Sequence, residues 1–326
     1  MAALTTPRIM GEVLLALTPA AAVSIWLFGV GVALNIATVL VAATLVEAVA
    51  VRARGGSVRA ALGDGSVLVT ALIIGLCLPP LLPWWIPALA GALAVLLGKQ
   101  VYGGLGQNVF NPAIVGYVAV VLAFPQATGM WPAPDPTLGA VISNGEAWRY
   151  FLSGELTPLA DALTHATPLD RLATDGLAAL LAHEAAVPGL AATGAWTWLG
   201  LAFLLGGIGL VARRTIDWRL PSGVLIGTAA TAALFAVVTD GAAVGFHLLA
   251  GATLMVAFFI ATDPVTAPVE SRARWLYAAG IGVVAMVIRE LGGHPDGFAF
   301  AILMMNATAP LLDYWVRRSW RGTADS

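Results

Sequence analysis

Apolar residues run along this chain in long blocks with few polar breaks. A helix that crosses a bilayer needs ~20 mostly apolar residues. Blocks of that kind, several shortened or broken by Gly and Pro, lie near 10–29, 31–51, 66–83, 84–98 and 112–125. A second set lies near 196–212, 220–239, 246–262, 274–290 and 297–315. The pattern predicts an all-α polytopic membrane protein of about ten spans, with broken helices. Residues 126–195 form the one long polar interruption. Three regions are expected: a five-helix membrane unit over 1–125, a loop region over 126–195, and a second five-helix unit over 196–326.

Composition sharpens this picture. Of 326 residues, 59% are hydrophobic and 10% charged, against about 25% charged in soluble domains. Such a chain cannot cover a water-facing surface. Its single cysteine, Cys77, excludes an internal disulfide and a cysteine-ligated iron–sulfur cluster. With one lysine and no basic run, nothing suggests nucleic-acid binding. No small-residue cleavage site precedes the first apolar block, which predicts a retained helix rather than a signal peptide.

Charge then sets the expected orientation. Alternate loops carry Arg8; Arg52, Arg54 and Arg59; Lys99; Arg213, Arg214 and Arg219; Arg272 and Arg274; and Arg317, Arg318 and Arg321. These are 13 of the 16 basic residues, a clear positive-inside signal. Both termini are therefore expected in the cytoplasm, with residues 126–195 on the outer side. All four histidines also map outside, without paired metal-ligand spacing.

The two halves resemble each other. Residues 64–83 run apolar and break at Pro79-Pro80; residues 251–268 run apolar and break at Asp263-Pro264. Each is followed by another span and a glycine-rich stretch, Gly103 to Pro112 in one half and Gly292 to Pro310 in the other. Five spans per half make the second copy enter from the opposite face. Inverted repeats place sites at discontinuous helices near the repeat interface.

Candidate chemistry concentrates in Asp161-Ala162-Leu163-Thr164-His165-Ala166-Thr167-Pro168-Leu169-Asp170. This stretch shows neither helical nor strand periodicity. Pro168 pushes Thr167 out of the α region, so its hydroxyl is expected on extended, accessible backbone. Such a hydroxyl needs an activated partner to react; an ordinary Ser/Thr turn is the plain alternative. Asp161 to Thr167 resembles the flavinylation motif Asp-x-x-Ser/Thr-Gly-Ala-Thr/Ser, in which a transferase esterifies FMN to the last hydroxyl. His165 stands in the usual glycine place.

A second candidate runs from Gly98 to Pro112. It matches neither a dinucleotide fingerprint nor a phosphate loop. Bare backbone around Gly104 would let a flat ligand approach closely, with Asn108 and Asn111 offering amide groups; the plain alternative is a tight connection between helices. Asp263, at a proline break, is a candidate for capping a half-helix or for an ion path. Glu47 is read as snorkelling to the interface or facing a partner protein. Thr253 follows Gly251-Ala252 but sits in an apolar span six residues after His247, so no modification is expected there.

Most of the chain is similar to the RnfD family, a membrane component of the Rnf electron-transport complex. More distantly it resembles NqrB of the sodium-pumping NADH:quinone reductase. The resemblance rests on Leu78-Pro79-Pro80 with Pro83-Trp84, Gly98 to Pro112, Asp161 to Leu169, and Phe258 to Thr266. It implies FMN held covalently on Thr167 on the outer side of a bacterial inner membrane. It implies Asp161, Thr164, His165 and Ala166 as the surrounding recognition or turn-shaping residues. A second, non-covalent flavin, riboflavin, is implied deeper in the bundle. Implied partners are an outer-side FMN protein and a membrane iron–sulfur pair. Ferredoxin and NAD⁺ stand at the far ends, and electron flow is coupled to Na⁺ or H⁺ transport. Ten spans, an inverted repeat and broken helices also describe a flavin-free channel or secondary transporter. A covalent flavin separates the two readings.

Overall fold

The structure, a computed structural model, describes residues 5–132, 134, 142–155, 164–186, 191–239, 241–292 and 296–324. Among these residues, six helices are long and apolar enough to cross a membrane. In the first half they are α1 (Thr6–Phe28) and α2 (Val30–Ala53). The short α3 (Val58–Leu62) leads to three briefer helices, α4 (Ser66–Cys77), α5 (Trp85–Val95) and α6 (Pro112–Ala123). α5 runs on through a π-helical turn, Leu96–Gln100.

The polar interruption is more than loop. It carries α7 (Pro125–Thr128), β1 (Trp131–Pro132), α8 (Asn144–Ser153), β2 (Thr164–His165) and α9 (Pro168–Ala186). α9 is kinked at Gly176, whose φ is 80°. The second half follows with α10 (Ala191–Ala212), α11 (Arg219–Thr239), the six-residue α12 (Val244–Leu249) and α13 (Thr253–Met255). α13 continues as a π-helical turn, Val256–Ile260. α14 (Ser271–Leu291) and α15 (Phe298–Ala324) complete the chain.

The expected order of spans is observed: all-α, with three first-half spans shortened and one second-half span split in two. α2 packs against α4 and α5, and α11 packs in the same way against α12 and α14. α5 then lies on α6, as α14 lies on α15. The halves meet along α1 and α10, the first helix of each. There Gly206 is indispensable, because a Cβ on it would stand 1.9 Å from the Ala16 carbonyl oxygen. Small residues of this kind let membrane helices approach closely.

Burial follows helical period. On α2, Val39, Ala43, Glu47 and Val51 face inward, while Val41, Leu45 and Val49 are exposed. The outward stripe is apolar because hydrocarbon, not water, is its solvent. Where helices break, side chains satisfy the freed backbone, as an apolar medium demands. Asn35 on α2 donates to the Pro79 carbonyl at 2.8 Å, beside the Pro79-Pro80 break. Thr253 donates to the His247 carbonyl at 2.7 Å across the α12–α13 break.

Candidate functional site

Two sites emerge at opposite ends of the helices. The first surrounds Thr167. β1 and β2 pair antiparallel, Trp131 with His165 and Pro132 with Thr164. The chain leaves this bridge through the exposed Ala166 and enters α9 at Pro168. Thr167 is the N-cap: its carbonyl accepts the first helical bond, from the Arg171 N–H at 3.0 Å. Proline suits the first helical position because its φ is preset and no N–H is wanted there. Thr167 Oγ1 accepts from the Asp170 N–H at 3.2 Å and donates to Asp170 Oδ2 at 2.6 Å. Asp170 Oδ2 also accepts the Thr167 N–H at 2.9 Å. This is a reciprocal capping box.

The expectation of an aperiodic decapeptide with an open hydroxyl is therefore corrected. Its last three residues are helical, and Thr167 is half-buried and hydrogen-bonded. Leu169 anchors the turn by burying itself against the Gly251 backbone. Asp161 lies outside the described residues, as do the side chains of Thr164 and His165. The decoy Thr253 is fully buried and bonded to backbone carbonyls.

Beside this cap, the Trp196 ring on α10 meets Trp131 edge-on at 5.3 Å and lies tilted against Phe28, the last residue of α1, at 5.1 Å. Met10, near the start of α1, lines the second site. The rise from Met10 to Phe28 is about 27 Å at ~1.5 Å per residue. The two sites are thus separated by close to the ~30 Å of a hydrocarbon core.

The second site is a cavity of about 280 Å³ between the halves. Asn108, Asn111, Lys99, Asp263 and Arg274 are among its polar lining residues, and Phe259 and Ile73 are among its apolar walls. Asn111 is the hub. Its Oδ1 caps α6 by accepting the Ala113 and Ile114 N–H groups, at 3.0 and 3.4 Å. Its Nδ2 donates to Asp263 Oδ2 at 3.2 Å. Its backbone N–H donates to Asn306 Oδ1 at 3.0 Å, and Asn306 Nδ2 donates to the Tyr277 hydroxyl at 2.6 Å. Asn108 folds on itself, accepting the Gly106 N–H at 3.3 Å and donating to the Phe110 carbonyl at 3.1 Å. Gly104 serves the turn, with φ of 119°, and stands outside the cavity lining.

Asp263 does not cap a half-helix. Its Oδ1 accepts the Val265 N–H at 3.0 Å and its Oδ2 the Thr266 hydroxyl at 3.3 Å, closing a turn well before α14 begins. The sequence thus brings Asn108, Asn111 and Asp263 together, from stretches 152 residues apart in the case of the latter pair.

A family model described as the NQR2, RnfD, RnfE family matches residues 1–322. The chain belongs to that family. A relative from Pseudomonas aeruginosa strain LESB58, named as the D subunit of an ion-translocating oxidoreductase complex, is 43% identical over 318 residues, covering 96% of this chain and 90% of its own. A relative of the same name from Halorhodospira halophila is 42% identical, covering 97% of this chain and 91% of its own. Another, from Escherichia coli O81, is 39% identical and covers 96% of this chain and 93% of its own.

In this member of the NQR2, RnfD, RnfE family, Glu47 neither snorkels nor faces outward. It is 1% exposed, and Lys99 Nζ donates to its Oε1 at 2.6 Å and to Ser66 Oγ at 2.8 Å. Asp64 stands 3.7 Å from the same ammonium. The π-helical turn at the end of α5 brings Lys99 to α2. A π-bulge resets the face a side chain points to, and no apolar periodicity encodes it. Asp170, Asn306 and Tyr277 are likewise site residues that sequence reasoning misses. Asp170 has a legible signal, Thr-x-x-Asp with proline directly after the threonine; Asn306 and Tyr277 have none, because their bonds join separate helices.

Proposed function

We propose that this chain is the membrane electron-carrier subunit of an ion-translocating ferredoxin:NAD⁺ oxidoreductase complex. In this reading it holds FMN through a phosphoester on Thr167 and a second, non-covalent flavin in the cavity between its halves. The names of its relatives support the complex and the ion coupling. The observation that carries the flavin reading is the placement of Thr167 at the N-terminus of α9. A helix N-terminus is a ready site for a phosphate anion.

Bound flavin supplies the redox chemistry of such a site. The residues do the rest. Thr167 provides the esterified oxygen, and Leu169 and the β1–β2 bridge fix where it points. An esterified Thr167 Oγ1 would carry no proton, so its bond to Asp170 would give way while Asp170 would keep the Thr167 N–H. In the cavity, the Asn111–Asp263 pair offers polar edges within apolar walls, the mixture that orients a flat ligand. Asp263 is also the candidate for the ion path, whether the ion is Na⁺ or H⁺.

The arginine distribution supports both termini in the cytoplasm and Thr167 on the outer side of a bacterial inner membrane. An outer-side FMN protein would meet the Thr167 end, and a membrane iron–sulfur pair would flank the bundle. Chain co-produced with a flavin-attaching transferase should give a fluorescent band on a denaturing gel. Thr167→Ala should abolish the band, and Thr253→Ala should keep it. A wild-type chain without the band would overturn the electron-carrier reading in favour of a flavin-free transporter or channel.

A further inference from the structure

We infer that the isoalloxazine ring of the group carried on Thr167 sits in the aromatic pocket formed by Pro168, Trp196, Thr197, Phe246 and Leu249. The inference rests on the covalent-flavin reading above. The pocket is about 190 Å³ and is built from the start of α9, the upper part of α10 and α12. Its first wall residue, Pro168, directly follows the anchor. The pocket therefore begins one residue from the anchor.

Its chemistry suits a flat aromatic ligand. Trp196 on α10 and Phe246 on α12 are aromatic residues from separate elements that line the same space. Aromatic pairs gain from offset or edge contacts beyond the area they bury. Trp196 is itself braced by Phe28 and Trp131, with interplanar angles of 51° and 67°. Trp131 belongs to the strand that pairs with Thr164 and His165. Trp196 is thus braced by the strand whose pairing partner leads into Thr167.

The floor is equally well held. Phe246 is locked edge-on against the buried His247 at 5.4 Å. The His247 carbonyl accepts from Arg289 at 3.2 Å and from Thr253 at 2.7 Å. Arg289, which holds this carbonyl, is itself 5% exposed. A pre-organised wall of this kind holds a tethered ring in one place.

The test uses the full-length chain co-produced with a flavin-attaching transferase, with the emission of Thr167→Ala subtracted to remove any non-covalent flavin. Tryptophan stacked on a flavin quenches it, so the wild-type native emission should be several-fold below that of the same sample denatured. Trp196→Phe, which removes the quencher, should keep the denaturing-gel band and raise native emission several-fold. Trp148→Leu, on the exposed face of α8, should leave emission low. Conservative Trp196→Phe guards against misfolding, which size-exclusion in detergent would reveal. A strong gel band with native emission equal to denatured, or unmoved by Trp196→Phe, overturns the pocket assignment alone. A wild-type chain lacking the band overturns the pocket and the covalent reading together.

Discussion

The backbone N–H of Asn111 donates to Oδ1 of Asn306 across 195 residues of sequence, at 3.0 Å. One asparagine opens α6 and the other lies within α15, the fifth helices of the two halves. Asn306 passes the link on to Tyr277 of α14. All three are at least nine-tenths buried. This chain of bonds ties the two halves together beside the cavity.

Asn306→Ala should therefore destabilise the protein sharply. It strands the buried Asn111 N–H, an orphaned group that costs about 1–3 kcal/mol, and takes from the Tyr277 phenol one of its two side-chain partners, Thr266 being the other. Thr308→Ala, which removes a local bond to the Met305 carbonyl, should cost under ~1 kcal/mol. Thermal unfolding in detergent compares the two, and equal midpoints would refute the clamp.

Lys99→Met should cost about 3–5 kcal/mol, because it leaves Glu47 buried without its partner. Adding Glu47→Leu should restore most of that loss. The double-mutant cycle measures the coupling, and additive effects would show the pair to be unlinked.

Gly206→Val should reduce the yield of monodisperse protein, since the side chain meets the Ala16 carbonyl. Gly209, on the same helix, has open space around it. Gly209→Ala should be neutral or stabilising by up to ~1 kcal/mol. Size-exclusion profiles of both variants decide this.

Asp170→Ala should loosen the start of α9 by about 1 kcal/mol. Amide exchange at Thr167 and Asp170 should rise roughly fivefold, by the usual conversion of free energy to equilibrium constant. Unchanged exchange would mean the capping box is dispensable.

Asp217 lies in the loop before α11. Burial, the largest influence, pushes its carboxyl up, but the Arg219 N–H and the Arg274 guanidinium outweigh it, and the net direction is down. A depressed carboxylate stabilises above its unfolded value and loses that contribution as pH falls through the folded one. Asp217→Asn should thus lower stability at neutral pH. The gap to wild type should close below about 3.8, the ordinary aspartate value. A gap unchanged across that range would refute the linkage.

The span pattern was legible because lipid selects residues one at a time: a block of ~20 apolar residues is sufficient to specify a crossing helix. The same held for the breaks at Pro79-Pro80 and Asp263-Pro264, where proline removes a donor and local backbone answers.

Only the tertiary structure decided which polar groups meet. Glu47 shares its stripe with Val39, Ala43 and Val51, and in an apolar protein both faces of a helix look alike to a periodicity argument. Its partner Lys99 arrives through a π-helical turn, and Asn306 meets Asn111 across the repeat interface. Such pairings depend on how helices cross, which is a property of side-chain packing between distant segments. Chain order fixes the helices; the close fit of Gly206 on Ala16 and of one half on the other fixes the cavity between them.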